Sequence, residues 1–245
     1  TMKTTHRLLS VACLLATAMV APSAWADGAG GSLQTTPANA PLQMEWDARL
    51  RHEQVDDDAF NRNANADTLR LRLGLRANFG DGWSGLLEGA GVASAGEHYN
   101  SGANGRTQYP AITDPHGGEL NQAWVSWQGD ASGVTLGRQR LQLDNQRWVG
   151  SSSWRQLEQT YDALGLQWRP LTALTLCYDW LDRVHRVAGD DALNPLARER
   201  RLNTHLLNAA WTQGSQQWVG YAYLHEDRNV ANASSATYGL RWTGN

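Results

Sequence analysis

From Leu42 to Glu53 hydrophobic and polar residues alternate with almost no exceptions. Leu42, Met44, Trp46, Ala48 and Leu50 fall on one face, and Gln43, Glu45, Asp47, Arg49, Arg51 and Glu53 on the other. Leu69 to Phe79 repeats the pattern, with Leu69, Leu71, Leu73, Leu75, Ala77 and Phe79 opposed to Arg70, Arg72, Arg76 and Asn78. A period of two predicts a strand, because successive side chains point to opposite faces. Weaker alternation predicts further strands near 83–92, 119–127, 133–140, 160–168, 174–184, 203–211, 217–225 and 235–242. In 174–184, Leu174, Leu176, Tyr178 and Trp180 are set against Thr175, Cys177, Asp179 and Arg183; in the last strand Tyr238, Leu240 and Trp242 oppose Arg241. The phase of 83–92 and of 119–127 is ambiguous.

The expected connections alternate in length. Short ones fall at 80–82, 128–132, 169–173 and 212–216, and long ones at 54–66, 93–118, 141–159, 185–202 and 226–234. About ten strands, each of bilayer-crossing length, with turns at one end and loops at the other, predict an all-β fold: a transmembrane antiparallel barrel of the outer-membrane porin type. A soluble sandwich accounts poorly for the charged faces, since each unpaired buried charge is costly. Trp46, Trp83, Trp127, Trp168, Trp180, Trp211 and Trp242 are expected at strand ends, where amphipathic rings settle at a membrane boundary.

Composition narrows this further. The chain has 245 residues, and its mean hydropathy is −0.52. Past the first two dozen positions no apolar run approaches the roughly 20 residues of a spanning helix. Lys3, His6 and Arg7, the apolar run Leu8–Val20 and Ala24-Trp25-Ala26 predict a signal peptide over 1–26, with an N-terminal core helix as the competing reading. Residues 27–41 read as a flexible segment, and the barrel is expected over 42–245. Removing Lys3 and Arg7 with the leader takes the formal charge from −3 to −5, which argues against a nucleic-acid partner. The remaining cations are all Arg, whose planar fork suits carboxylates and phosphates. Cys177 alone remains, so no internal disulfide is expected.

Two blocks carry a family signal. One is Glu119-Leu120-Asn121-Gln122-Ala123-Trp124. The other runs through Gly137-Arg138-Gln139-Arg140, Leu143-Asp144-Asn145-Gln146-Arg147-Trp148-Val149-Gly150, Trp154-Arg155-Gln156, Glu158-Gln159-Thr160 and Tyr161-Asp162-Ala163. With the strand rhythm from Leu42 onward, the chain resembles the alginate export porin family of Gram-negative outer membranes. The resemblance implies a monomeric barrel in the cell outer membrane that passes polyanionic polysaccharide through an Arg-lined lumen, with periplasmic export partners. It also implies about eighteen strands. The ten counted here suggest an N-terminal fragment of an incomplete barrel, or else a genuine ten-stranded one.

Arg138, Arg140, Asp144, Arg147, Arg155 and Asp162 are expected to form a constriction that binds anionic sugar, with loop 141–159 folded into the lumen. The competing reading is that these arginines pair with Asp144, Glu158 and Asp162 and only brace the loop. Arg49, Arg51, Arg70, Arg72, Arg76, Asp179, Arg183 and Arg241 are expected to line the lumen. Asp56-Asp57-Asp58 reads as a solvated acidic loop rather than a calcium site, for want of a fuller ligand pattern. No G-x-S-x-G, H-E-x-x-H or G-x-G-x-x-G motif in suitable context occurs, so neither catalysis, a metal nor a cofactor is expected. A general or small-anion porin and an outer-membrane hydrolase are the rival functions, and outer-membrane lipid is an expected partner.

Overall fold

The computed structural model describes residues 41–244. The expected signal peptide and, Pro41 apart, the flexible segment lie outside the described residues. Ten strands follow in order: β1 (Leu42–Val55), β2 (Ala64–Gly80), β3 (Trp83–Ser94), β4 (Gly117–Gln128), β5 (Ser132–Gln139), β6 (Thr160–Leu171), β7 (Leu174–His185), β8 (Glu199–Gln213), β9 (Gln216–His225) and β10 (Ser235–Thr243). Each pairs antiparallel with its chain neighbour in a single sheet ordered β1 to β10, so β1 and β10 stand at its edges. A one-turn helix, α1 (Pro195–Arg198), precedes β8.

Tight turns join the strands at one end. In the β2–β3 turn Gly80, Asp81 and Gly82 all have positive φ, at 83°, 51° and 82°. A Cβ on Gly82 would lie 2.2 Å from the Gln128 carbonyl oxygen, so only glycine fits beneath the neighbouring strand. Long connections gather at the other end, and β1 and β2 extend further into theirs than the sequence pattern suggests. The ambiguous phase of β4 has a physical cause. The ladder passes from Glu88–Gln122 to Gly89–Leu120, so Asn121 is an extra residue, and Asn121 and Gln122 are both buried, which breaks the alternation.

One face of the sheet is apolar and exposed. Leu50 is 77% exposed, and Leu69, Leu71, Leu73, Leu75, Leu87 and Leu240 share its outward face. Trp83, Trp127, Trp168, Trp211, Trp218 and Trp242 lie near the tight-turn end, where five of the seven expected aromatic anchors fall. Trp46 and Trp180 do not. They sit in mid-strand opposite Leu73 and Leu164.

The opposite face is concave. The β5–β6 connection bonds to Arg49 of β1 and also to Arg241 of β10. Each of these strands lies four spacings from the nearer end of the connection, roughly 19 Å along a flat sheet. One loop reaches both only if the sheet curls around it, in the right-handed twist that closes barrels. The curl buries a small apolar cluster inside: Leu141 and Val149 of the loop against Tyr161, Leu181, Leu206 and Tyr223 of the wall.

Candidate functional site

The polar residues of β1 and β2 set the interior chemistry. Arg49 lies directly opposite Arg70, and Asp47 opposite Arg72. Like charges facing each other across a ladder repel, yet here they are held together by acceptors. Arg70 pairs diagonally with Asp47, and Arg76 Nε donates to Glu45 at 2.5 Å. Arg49 donates to Gln156 Oε1 at 3.0 Å, to the Ser153 carbonyl at 2.8 Å and to the Arg155 carbonyl. The β5–β6 loop thus lays neutral acceptors on an arginine wall.

Gln156 is the pivot, with 0% exposure. Its amide nitrogen donates to Thr68 Oγ1 at 2.8 Å, and its backbone N–H donates to Asp114 Oδ1 at 2.9 Å. Asp114 belongs to the β3–β4 loop and also takes Arg51. Two long loops are therefore locked to each other and to the wall at one point. Arg155 completes it with Nη1 3.2 Å from Glu53, its guanidinium 4.0 Å from the Trp154 ring centre.

Two residues further on, Glu158 is 1% exposed. It accepts from Arg140 Nε at 2.8 Å and from Asn121 Nδ2 at 2.8 Å, and it lies 3.4 Å from Arg72 Nη1. Asn121 also donates to Glu88 at 2.5 Å, joining the first sequence block to the second. Burial works to raise the Glu158 carboxyl, but Arg72 and Arg140 outweigh it and hold the group below its ordinary range. Burial likewise works to lower the Arg140 guanidinium, and Glu158 reverses the sign. Arg155 is lowered by burial, with Asp114 and Glu53 opposing.

The first half of the loop anchors elsewhere. Asp144, with φ 53°, accepts from Arg241 Nη2 at 2.9 Å and from Asn208 and the Tyr223 hydroxyl at 3.2 Å each. Arg147 stands exposed at the tip, its guanidinium 5.4 Å from the Trp148 ring centre. Between loop and wall lies a cavity of about 890 Å³, lined by equal numbers of arginines and carboxylates, five of each.

Arg49, Arg51, Arg70, Arg72, Arg76, Asp179 and Arg241 thus lie on the interior face, together with the loop residues Arg140, Asp144 and Arg155. Three expected placements are corrected. Arg138 and Asp162 share the outward face of Leu136 and Leu164, since the β5–β6 ladder pairs Leu136 with Leu164 and Arg138 with Asp162 without a slip. Leu136 is 61% exposed. Arg183 joins that outward face because the ladder skips Asp182, reversing the alternation read from Thr175 to Asp179. Arg138 and Asp162 bond at 2.9 Å, so they form an outward pair and no part of a constriction.

Gln156, Asp114 and Glu88 were not singled out as site residues by sequence reasoning. Gln156 and Asn121 stand inside the two quoted blocks, so the signal was present without a role attached. Asp114 carries no spacing signal, and only the meeting of two loops gives it one.

Comparison with known proteins adds the following. The family model described as alginate export matches residues 40–237. No curated protein sequence matches the chain. Among solved structures, OccD3 (OpdP) of Pseudomonas aeruginosa is similar at 12% identity and a TM-score of 0.46, covering 86% of this chain and 55% of that one. OccAB4 of Acinetobacter baumannii is 14% identical with a TM-score of 0.45, over 83% of this chain and 63% of that one. A BenF-like porin from Pseudomonas fluorescens Pf-5 is 13% identical with a TM-score of 0.45, over 83% and 66%. The chain spans between 55% and 66% of the lengths of these structures.

Proposed function

The chain belongs to the alginate export family, and from that membership we propose that it forms the wall of an outer-membrane channel that passes anionic sugars or polysaccharide. The observation that carries this reading is the arginine wall of Arg49, Arg70 and Arg72. The buried Nε atoms of Arg70 and Arg72, and Nη2 of Arg72, donate to no protein acceptor among the described residues. Arg49, Arg70 and Arg72 also line the cavity between loop and wall, where fixed positive charge suits a passing carboxylate. Their neighbours Asp47 and Glu158 keep the attraction weak, and transport needs that weakness, because tight binding would trap the polymer.

Arg140, Asp144 and Arg155 act in this reading as braces that hold the loop across the passage, and Arg147 as an exposed cation at its tip. The channel works as a monomer, receives substrate from periplasmic partners and needs neither catalysis nor a cofactor.

The full-length protein in a planar bilayer tests this. Anions are expected to pass in preference to cations, and a uronate oligomer to block the current. Arg72→Gln, which leaves Glu158 bonded to Arg140, is expected to shift the reversal potential toward cations and weaken the block. The block is expected to fade in 1 M salt, where the Debye length is about 3 Å. The even balance of charges around the cavity favours a second reading, a general porin. A channel without anion preference and indifferent to uronates leaves that one standing.

A further inference from the structure

The outward face of β5 to β8 departs from the apolar band toward its loop end. There Arg138, Asp162, Arg183 and Arg201 follow one another across four strands at one level, paired in sequence by the ladder. Arg183 and Arg201 face each other directly. Opposed like charges destabilise a sheet unless something anionic lies between them. Arg183 has Glu199 at 2.5 Å and Asp162 at 3.9 Å, and Glu199 also lies 3.8 Å from His185 Nδ1, so the nearby carboxylates serve Arg183 and His185. The Arg201 guanidinium is exposed and shows no ion pair among the described residues.

Below this row, on the same face, the surface is hollow. Leu164, Trp180, His205 and Leu224 form the next level, with Tyr178 closing on His205 Nδ1 at 2.8 Å. Beneath them Ala209, Gly220 and Ala222 form a floor of small residues between the larger Trp168 and Leu207, in a cleft of about 510 Å³. A Cβ placed on Gly220 meets nothing within 4 Å. A groove floored by small side chains and walled by Leu and Trp has the shape of a hydrocarbon chain.

We infer that this face is a binding site for a phosphorylated membrane lipid, whose phosphate bridges Arg183 and Arg201 while one acyl chain lies in the groove over Gly220. The charge row stands where the apolar band ends, at the height of headgroups. Arginine forks match phosphate oxygens. Each arginine near an anionic headgroup adds to binding, and burial of chain methylenes in the groove adds the rest. The site rests on the outward face meeting lipid and is independent of what crosses the interior.

The test is native mass spectrometry of the full-length protein released from nanodiscs, with dioleoyl phosphatidic acid as probe, phosphatidylcholine as comparator and inorganic phosphate as competitor. Retention of phosphatidic acid over phosphatidylcholine is expected, with no displacement by equimolar inorganic phosphate. Arg201→Glu and Gly220→Leu are each expected to weaken retention roughly tenfold while conductance stays at the parent's level. Arg201→Gln and Ala222→Leu make the same changes more gently. Retention at the parent's level in either gentle variant, or full displacement by inorganic phosphate, overturns the site. Loss of uronate block with lipid retention intact would instead count against the channel reading alone.

Discussion

The first half of the β5–β6 loop is held to the wall chiefly by apolar burial, and the second half by buried charge. Leu141 and Val149 enter a cluster with Leu181, Leu206 and Tyr223, on the side of β6 to β9. Gln156 and Glu158 enter a network of arginines and amides on the side of β1 to β4. The first half also carries a charged contact, Asp144 to Arg241, but the apolar cluster itself is indifferent to pH and salt and tolerates small shifts. The charged anchor is directional: it fixes which atoms meet, and it fails if one partner is lost. In the proposed channel a loop so placed gains from both, one half for attachment and the other for register.

The sharpest way to break this comparison is Glu158→Gln. It leaves Arg72 and Arg140 buried without their counter-charge, and the expected cost is about 3–5 kcal/mol in urea unfolding. A cost under about 1 kcal/mol would show that the network is well hydrated and holds little.

Leu206→Ala attacks the other half. It opens a cavity in the apolar cluster and is expected to cost about 2–5 kcal/mol. This loss should be the same at pH 4 and pH 8, whereas the loss from Glu158→Gln should shrink in acid. The sign follows from the lowered carboxyl of Glu158. A depressed carboxyl contributes its full stabilisation above the ordinary glutamate value of about 4.3, and that contribution is lost as pH falls through the lower folded value. Acid is therefore expected to raise current noise in the parent by freeing the second half of the loop, and to add little noise in Glu158→Gln.

Gln156→Ala separates register from attachment. It removes the bonds to Arg49 and Thr68 and is expected to cost about 1–3 kcal/mol, with a change in conductance larger than the loss of stability suggests. Equal conductance in parent and variant would mean that the loop does not define the passage.

Arg147→Ala is the smallest expected effect. The side chain is exposed at the tip, so stability should stay within about 0.5 kcal/mol of the parent. Uronate block should nonetheless weaken, and salt should narrow the difference. No change in block would place the tip outside the path of the substrate.

Much of this was legible in the chain. Strict alternation in Leu42–Glu53 and Leu69–Phe79 determined two strands and their faces, because a period of two admits one apolar side and a slip of one residue would reverse it. Glycines about Asp81 and the recurrent turn signals determined which ends carry tight turns. The blocks around Asn121 and Arg138–Ala163 pointed to the family. Tertiary structure alone decided the rest. The bulge that skips Asp182 moved Arg183 outward, and no pattern in a single strand reveals a slip that exists only against a partner. The same face count took Arg138 and Asp162 out of the lumen. Asp114, Gln156 and Glu158 meet Arg51, Arg49 and Arg72 only because a curled sheet brings β1 and β2 within reach of two loops that lie 63 to 107 residues further along the chain. Side-chain alternation is a local property that each strand carries by itself, while pairing of buried charges depends on which strands face one another once the sheet has curled.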